Sequence, residues 1–191
     1  MLNIGILCLQ GAFIEHIHKF RLLGARTTEI RKKEDFTDSF DGIVVPGGES
    51  TVIGKLLREL DLETVLRKKI EEGMPVYGTC AGLILLAKTV ENEDRPALAT
   101  MDITVRRNAY GRQLGSFFTT GTFGTFKDIP MTFIRAPYIT EVGRNVKILS
   151  VLDGKITAAR QNNQLVTAFH PELNDDLRIH RYFLDMILDQ K

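Results

Sequence analysis

Short apolar runs alternate with helical patterns through the first half of the chain. The apolar runs at 2–9, 42–45 and 76–79 predict strands that are buried on both faces, and residues 27–30 can form a further strand. The apolar positions between them recur at helical spacing and predict helices at 13–23, from Ser50 with Ser50 or Thr51 as N-cap, and at 62–72. Strands that alternate with helices predict a mostly parallel sheet with helices on both faces.

The pattern changes after Thr89, where short β-rich segments replace the helices. Segments 101–107, 116–123 and 131–134 predict antiparallel strands added at an edge of the sheet. Asp153-Gly154 predicts a hairpin between 147–152 and 155–160. A last strand at 164–169 precedes an amphipathic helix that begins at about 175. The predicted fold class is therefore α/β with three layers and a small antiparallel extension.

Composition is that of an ordinary globular protein: 191 residues, 43% hydrophobic, 26% charged, and a formal net charge of +1. We expect one domain over 1–191 and no nucleic-acid partner. The N-terminus lacks the basic leader and cleavage site of a secretory signal, and no apolar run is long enough to span a bilayer. The expected location is the cytoplasm, away from membranes, with Cys8 and Cys80 as free thiols.

A candidate nucleophile lies between the fourth predicted strand and the helix after it. Gly78 and Gly82 flank Cys80 at the spacing of a nucleophile elbow, in which strand and helix approach closely and the central side chain is exposed. A cysteine there faces the positive end of a helix dipole, which favours the attacking thiolate form. Cys8, in the middle of an apolar run, is instead expected to be structural.

Glycine-rich breaks at the ends of predicted strands supply candidate oxyanion donors. In an open α/β sheet, ligands bind beyond the carboxyl ends of the strands. Breaks fall there at Gln10-Gly11, at 46–50 and at the Cys80 turn. The backbone N–H groups of Gly48 and Ala81 are therefore predicted to form an oxyanion hole for a tetrahedral intermediate.

One of the four histidines is a candidate base. His16, His18 and His180 lie in predicted helices, where a solvated or core position is the ordinary interpretation. His170 differs because Glu172 follows it at the end of the last strand, where residues two apart point the same way. The carboxylate is placed to orient and charge-stabilise the imidazole. Cys80, His170 and Glu172 form a candidate triad for cysteine-dependent acyl transfer.

These motifs resemble those of the class I glutamine amidotransferases, whose cysteine attacks the side-chain amide of glutamine. Further segments make the chain similar to the family of glutaminase subunits of pyridoxal 5'-phosphate synthases. The segments are Leu9-Gln10-Gly11-Ala12 with Glu15-His16, Pro46-Gly47-Gly48-Glu49-Ser50-Thr51, the segment 107–113, and Phe133-Ile134-Arg135-Ala136-Pro137. The resemblance covers the whole chain.

The resemblance implies the residues of the site. Cys80 is the nucleophile and His170 with Glu172 its relay, while glutamine is held by Gly48, Glu49, Ser50, Arg107, Ile134 and Arg135. Free glutamine carries a carboxylate and an ammonium group, which require opposite charges in the site. Arg107 or Arg135 supplies a positive charge and Glu49 a negative charge. The sequence does not say which of these residues pairs with which group of glutamine.

The resemblance also implies a partner, a separate synthase subunit that uses the ammonia to make pyridoxal 5'-phosphate. That compound is implied as the product of the complex, so no cofactor is expected here, and no phosphate loop or metal-ligand cluster is found in the sequence. The chain departs from the family pattern at Phe118 and Tyr138, where the family commonly has Glu and His.

Three alternatives remain at this point. A glutaminase subunit of another pathway, such as imidazole glycerol phosphate synthesis, shares the elbow and the His-Pro-Glu segment, but not 107–113 or the Ile-Arg-Ala-Pro segment. A cysteine peptidase or stress-response hydrolase would act on peptides or electrophiles. The two arginines and the glutamate around the thiol suit a small amino acid instead. A scaffold with an inactive site would bind the synthase without reacting with a glutamine-like electrophile.

Overall fold

The structure is a computed structural model that describes residues 1–37, 39–93, 96–107 and 115–190. The helices are α1 (Phe13–Leu22), α2 (Ser50–Glu59), α3 (Leu62–Glu71), α4 (Ala81–Leu86) and α5 (Arg178–Leu188). Two short 3₁₀ helices cover Lys33–Asp35 and Pro171–Leu173. The strands are β1 (Asn3–Leu7), β2 (Arg26–Ile30), β3 (Gly42–Val45), β4 (Val76–Thr79), β5 (Ala87–Val90), β6 (Met101–Arg106), β7 (Ser116–Phe123), β8 (Phe126–Ile134), β9 (Tyr138–Val142), β10 (Lys147–Leu152), β11 (Lys155–Gln161) and β12 (Gln164–Thr167).

Ten strands of the described chain form one sheet in the order β2-β1-β3-β4-β12-β11-β9-β6-β5, with β10 paired to β11. The first five run parallel, and β11 and β9 continue the sheet in antiparallel pairing. Strands β1, β3, β4 and β12 are almost wholly buried, as expected for parallel strands covered on both faces, whereas the edge strand β2 is polar and largely unburied. The predicted fold class is confirmed.

The parallel order explains why distant motifs meet. Strands β1, β3, β4 and β12 are consecutive neighbours in the sheet, and the chain leaves each of them at the same edge. The segments that follow these strands are Gln10-Gly11, 46–50, the Cys80 turn and His170-Pro171-Glu172. The fold therefore gathers all four candidate segments at the carboxyl edge of the parallel strands.

The predicted antiparallel strands divide between two places. Strand β6 joins the main sheet beside β9 and β5, as an edge extension. Strands β7 and β8 instead pair with each other in a separate two-stranded sheet, so the prediction that they extend the main sheet was wrong. Backbone contacts explain their position, since the carbonyl of Thr132 on β8 accepts a hydrogen bond of 2.8 Å from the His170 N–H.

Several predicted boundaries shift. The last helix starts at Arg178 rather than near Asp175, because Asx-type turns at Asn174 and Asp176 occupy the residues before it. Helix α2 has Glu49 as its N-cap and no side-chain cap, so the proposed capping by Ser50 or Thr51 was wrong. The Asp153-Gly154 hairpin is confirmed, with φ of 49° and 75° at the two turn residues.

Candidate active site

Cys80 lies at the turn between β4 and α4, with φ 47° and ψ −96°. A positive φ is strained for a residue with a side chain, and such strain concentrates at functional sites. The two glycines allow the close approach that the turn requires. A Cβ on Gly82 would lie 2.1 Å from the carbonyl oxygen of Val45, and one on Gly78 would lie 2.7 Å from the backbone of Gly82. The close approach predicted from the glycine spacing is present, but the prediction of an exposed central side chain was wrong, since Cys80 is 7% exposed.

Replacing Gly82 by alanine should destabilise the protein by about 3 kcal/mol, because the new methyl group meets backbone that cannot rotate away. Gly54→Ala is the matched control. Its Cβ would have Leu85 Cδ2 as its nearest neighbour at 3.5 Å, and alanine favours the helix by up to about 1 kcal/mol. Urea unfolding of both variants measures the difference; a Gly82→Ala midpoint equal to the parent's would contradict the steric argument.

His170 is held in place from two sides. Its backbone N–H bonds to β8, and its Nδ1 lies 2.7 Å from Glu172 Oε1. Burial lowers the pKa of His170, but hydrogen bonds to Cys80 and Glu172, together with their negative charges, raise it more, to about 10. The imidazole is therefore protonated at neutral pH. The arrangement places an imidazolium between the Cys80 side chain and a buried carboxylate.

Glu172 is 3% exposed, and this burial alone would raise the pKa of its carboxyl group. The electrostatic attraction of His16 and the hydrogen bond with His170 outweigh burial, so the pKa of Glu172 is lower than usual. A buried carboxylate that stays charged beside an imidazolium fixes the orientation of the ring and stabilises its charge. The three residues of the predicted triad are thus brought together.

A cavity of about 300 Å³ opens beside Cys80. Eight of the ten predicted site residues line it: Gly48, Glu49, Ser50, Cys80, Arg107, Ile134, Arg135 and His170. The other two lie just outside, Glu172 behind His170 and Ala81 at the first position of α4, where a helix N–H lacks an intrahelical acceptor. A larger cavity of about 680 Å³ shares Ser50 and Ile84 with it, but neither Cys80 nor His170 lines that space.

The two arginines of the cavity form separate ion pairs. Arg135 lies 3.2 Å from Glu49, and Arg107 lies 2.9 Å from Glu93. Both arginines face the cavity that contains the thiol, so each is within the site predicted for them. The carbonyl oxygen of Ile134 lies 3.9 Å from Cys80 Sγ. Residues 108–113 of the segment that carried part of the resemblance lie outside the described residues.

Sequence reasoning did not assign a role to Gln10. Its side-chain oxygen accepts a hydrogen bond of 2.8 Å from the Glu49 N–H, and a Cβ on Gly48 would lie 2.3 Å from that oxygen. The same two loops make a second contact, in which the carbonyl of Gly47 accepts a hydrogen bond from the Ala12 N–H. The loop after β1 therefore holds the glycine loop after β3 against the site. The sequence signals were the position of Gln10 at a strand end and its place in a segment that carries the resemblance.

The core interpretation holds for His16 and His180, which are both completely buried, whereas His18 is exposed. Sequence reasoning missed that His16 lies behind the triad, with Nε2 3.6 Å from Glu172 Oε2. A helix residue and a residue far along the chain give no local signal of such proximity.

No group of three or more His, Cys, Asp or Glu in the described residues is arranged to hold a metal ion. Both cysteines are free and buried. None of the helices in the part of the chain that the structure covers is long and apolar enough to cross a membrane.

Known proteins are similar to this chain in sequence and in structure. The sequence profile of the SNO glutamine amidotransferase family matches residues 6–189. A protein of Methanocorpusculum labreanum described as "Pyridoxal 5'-phosphate synthase subunit PdxT" is 58% identical over 186 residues, covering 97% of this chain and 98% of that protein. One of Desulfitobacterium hafniense with the same description is 52% identical over 190 residues, covering 100% and 96%. A solved structure described as "Crystal structure of glutamine amidotransferase" is 42% identical, with a TM-score of 0.91 and coverage of 96% and 98%.

Proposed function

The chain belongs to the SNO glutamine amidotransferase family, and from this premise we propose that it is the glutaminase subunit of a pyridoxal 5'-phosphate synthase. The observation that carries the proposal is the buried array of Cys80, His170 and Glu172 at the wall of a small cavity. The relatives that match along their whole length are described as subunits of that synthase.

The geometry supports hydrolysis in two steps. The Cys80 thiolate attacks the side-chain amide carbon of glutamine, and the N–H groups of Gly48 and Ala81 stabilise the oxyanion. The His170 imidazolium donates its proton to the departing nitrogen, which leaves as ammonia, and a glutamyl thioester remains on Cys80. Water then attacks the thioester while neutral His170 accepts a proton from the water. Glutamate leaves, and the proton restores the imidazolium and thiolate pair.

The cavity is suited to a free amino acid. Its volume of about 300 Å³ is at the small end of ligand sites. Arg107 and Arg135 offer cations to the α-carboxylate, and Glu49 offers a carboxylate to the α-ammonium group. Gly48, Ser50 and Ile134 contribute backbone groups and a hydroxyl around them. Because both arginines are already paired with carboxylates, binding of glutamine exchanges one ion pair for another.

The ammonia is passed to a synthase subunit, which is the partner of this chain. Pyridoxal 5'-phosphate is the product of the complex, and the glutaminase reaction requires no cofactor. We further propose that residues 1–191 act as a single glutaminase domain in the cytoplasm, without a nucleic-acid or membrane partner. The near-neutral net charge of +1 supports the absence of a polyanionic partner.

The test follows the amide nitrogen. The chain mixed with the synthase subunit of its own organism, pentose and triose phosphates, and glutamine labelled with ¹⁵N in the side chain should yield ¹⁵N in the ring of pyridoxal 5'-phosphate. Mass spectrometry of the product measures the label, with unlabelled glutamine and added ¹⁵N-ammonium as the control for direct use of ammonia. We expect the chain alone to hydrolyse glutamine slowly. Absence of both label and ammonia in the mixture would sink the proposal.

A further inference from the structure

His16 lies at the centre of a buried polar cluster behind the triad. The residue is 0% exposed, and its ring is in contact with three elements other than its own helix. Its Nδ1 lies 3.0 Å from His180 Nε2 on α5, and its Nε2 lies 3.2 Å from Thr79 Oγ1 on β4. The same Nε2 lies 3.6 Å from Glu172 Oε2, which is the oxygen that does not bond to His170.

The contacts select one tautomer of His16. Glu172 Oε2 is a buried carboxylate oxygen without a hydrogen bond among the described residues. If Nε2 of His16 were unprotonated, its lone pair would face that negative charge, which is repulsive. With the proton on Nε2, the N–H dipole points towards Thr79 and the carboxylate, and the attraction at 3.6 Å is one of charge and dipole rather than a short hydrogen bond.

His180 completes the selection. With Nε2 of His16 protonated, its Nδ1 accepts from the Nε2–H of His180, and His180 Nδ1 is then a bare acceptor. That atom is buried and has no partner in the described structure. The opposite arrangement would leave a buried N–H without an acceptor, which is the rarer defect in folded proteins. Both ends of the cluster therefore favour the same proton positions.

Resting on the proposed glutaminase function, we propose that His16 is a positioning residue, whose Nε2–H orients and stabilises the Glu172 carboxylate, with His180 holding His16 in that tautomer. Glu172 is then fixed at both oxygens, by His170 at one and by His16 at the other. His170 in turn is held in the orientation that its proton transfer needs.

His16 acts as a neutral donor in this arrangement. Burial is the main cause that lowers its pKa to about 3, with the charges of His180 and His170 acting the same way and that of Glu172 opposing. The other groups that face the ring are the edge of Tyr77 on β4 and His180, whose own pKa is lowered to about 3 by burial and by Lys19. Lys19 Nζ donates to the Asn174 carbonyl. Among the described residues, Glu172 supplies the only full negative charge in contact with the ring.

Three variants separate positioning from packing. His16→Asn removes the donor at the Nε2 position, whereas His16→Gln retains one there. His18→Asn, on the exposed side of the same helix, is the matched control. In the complex with the synthase, we expect His16→Asn to lower kcat about tenfold with KM changed less than about twofold, and His16→Gln to restore most of the loss.

The pH profile gives a second readout. The pKa of Glu172 is below its usual range partly because of His16, and activity is lost as pH falls through that value. Without the donor the pKa rises, so the acid limb of kcat in His16→Asn should move to higher pH. An unchanged acid limb and rate, or a His16→Gln variant as impaired as His16→Asn, would overturn the assignment.

The tautomer is measurable without any turnover. In the intact chain labelled with ¹⁵N-histidine, NMR should show His16 protonated at Nε2 and His180 protonated at Nε2, assigned with the His16→Gln and His180→Gln spectra. A proton on Nδ1 of His16 would refute the proposal even if the asparagine variant fails to fold. A chain with the expected tautomers but no glutaminase activity would instead count against the proposed function alone.

Discussion

Replacing Cys80 by alanine should reduce glutamine hydrolysis in the synthase complex to the uncatalysed background, a loss of at least about 10⁴-fold. The reason is that the thioester cannot form without the thiol. The structure offers no substitute, since Cys8 is 2% exposed, its Sγ donates to the Ile6 carbonyl, and burial raises its pKa to about 11. Ammonia release from glutamine, followed by a coupled assay, measures the effect.

Cys8→Ala is the matched control and should retain the activity of the parent. The same pair of variants identifies the reactive thiol. A chloromethyl ketone analogue of glutamine should alkylate Cys80 in the parent and in Cys8→Ala, and mass spectrometry should find no adduct in Cys80→Ala. Ammonia release by Cys80→Ala above background, or alkylation only at Cys8, would contradict the assignment of the nucleophile.

The turn at Cys80 and the contact between His170 and Glu172 were predictable because local sequence patterns carry them. Gly78 and Gly82 are required by backbone contacts closer than any Cβ allows, so the glycine spacing reports directly on geometry. His170 and Glu172 are two residues apart, and their contact depends only on the end of one strand. The alternation of apolar runs with helical patterns predicted the parallel half of the sheet in the same way, with shifts at its ends.

What the sequence did not reveal depends on contacts between distant segments. His16 and His180 are 164 residues apart, and their hydrogen bond exists because α1 and α5 pack on the same side of the sheet. Gln10 reaches Glu49 only once β1 and β3 are neighbours. The separate β7–β8 sheet was missed for a similar reason, since alternating burial along a strand shows that it pairs but not with which strand.

Glu172 is the residue whose charge should control the pH range of the enzyme. Its carboxylate is one of the causes that raise the pKa of His170 to about 10, so the parent should keep its imidazolium, and its activity, until pH approaches that value. In Glu172→Gln the negative charge is lost, the pKa of His170 falls, and the alkaline limb of kcat should move to lower pH. Because the ring is also less well oriented, kcat at its optimum should fall about 10³-fold.

Asp175→Asn is the matched control for Glu172→Gln, because Asp175 is an exposed carboxylate in the same segment. The experiment is a profile of kcat against pH for the parent and both variants in the synthase complex. The same raised pKa also contributes to stability: the contribution is complete below about pH 6.5, the ordinary value for histidine, and is lost as pH rises through about 10. Glu172→Gln should therefore lose stability relative to Asp175→Asn at pH 6 but less so at pH 10. An alkaline limb that stays in place in Glu172→Gln would show that the carboxylate does not set the charge of His170, and the relay would then consist of Cys80 and His170 alone.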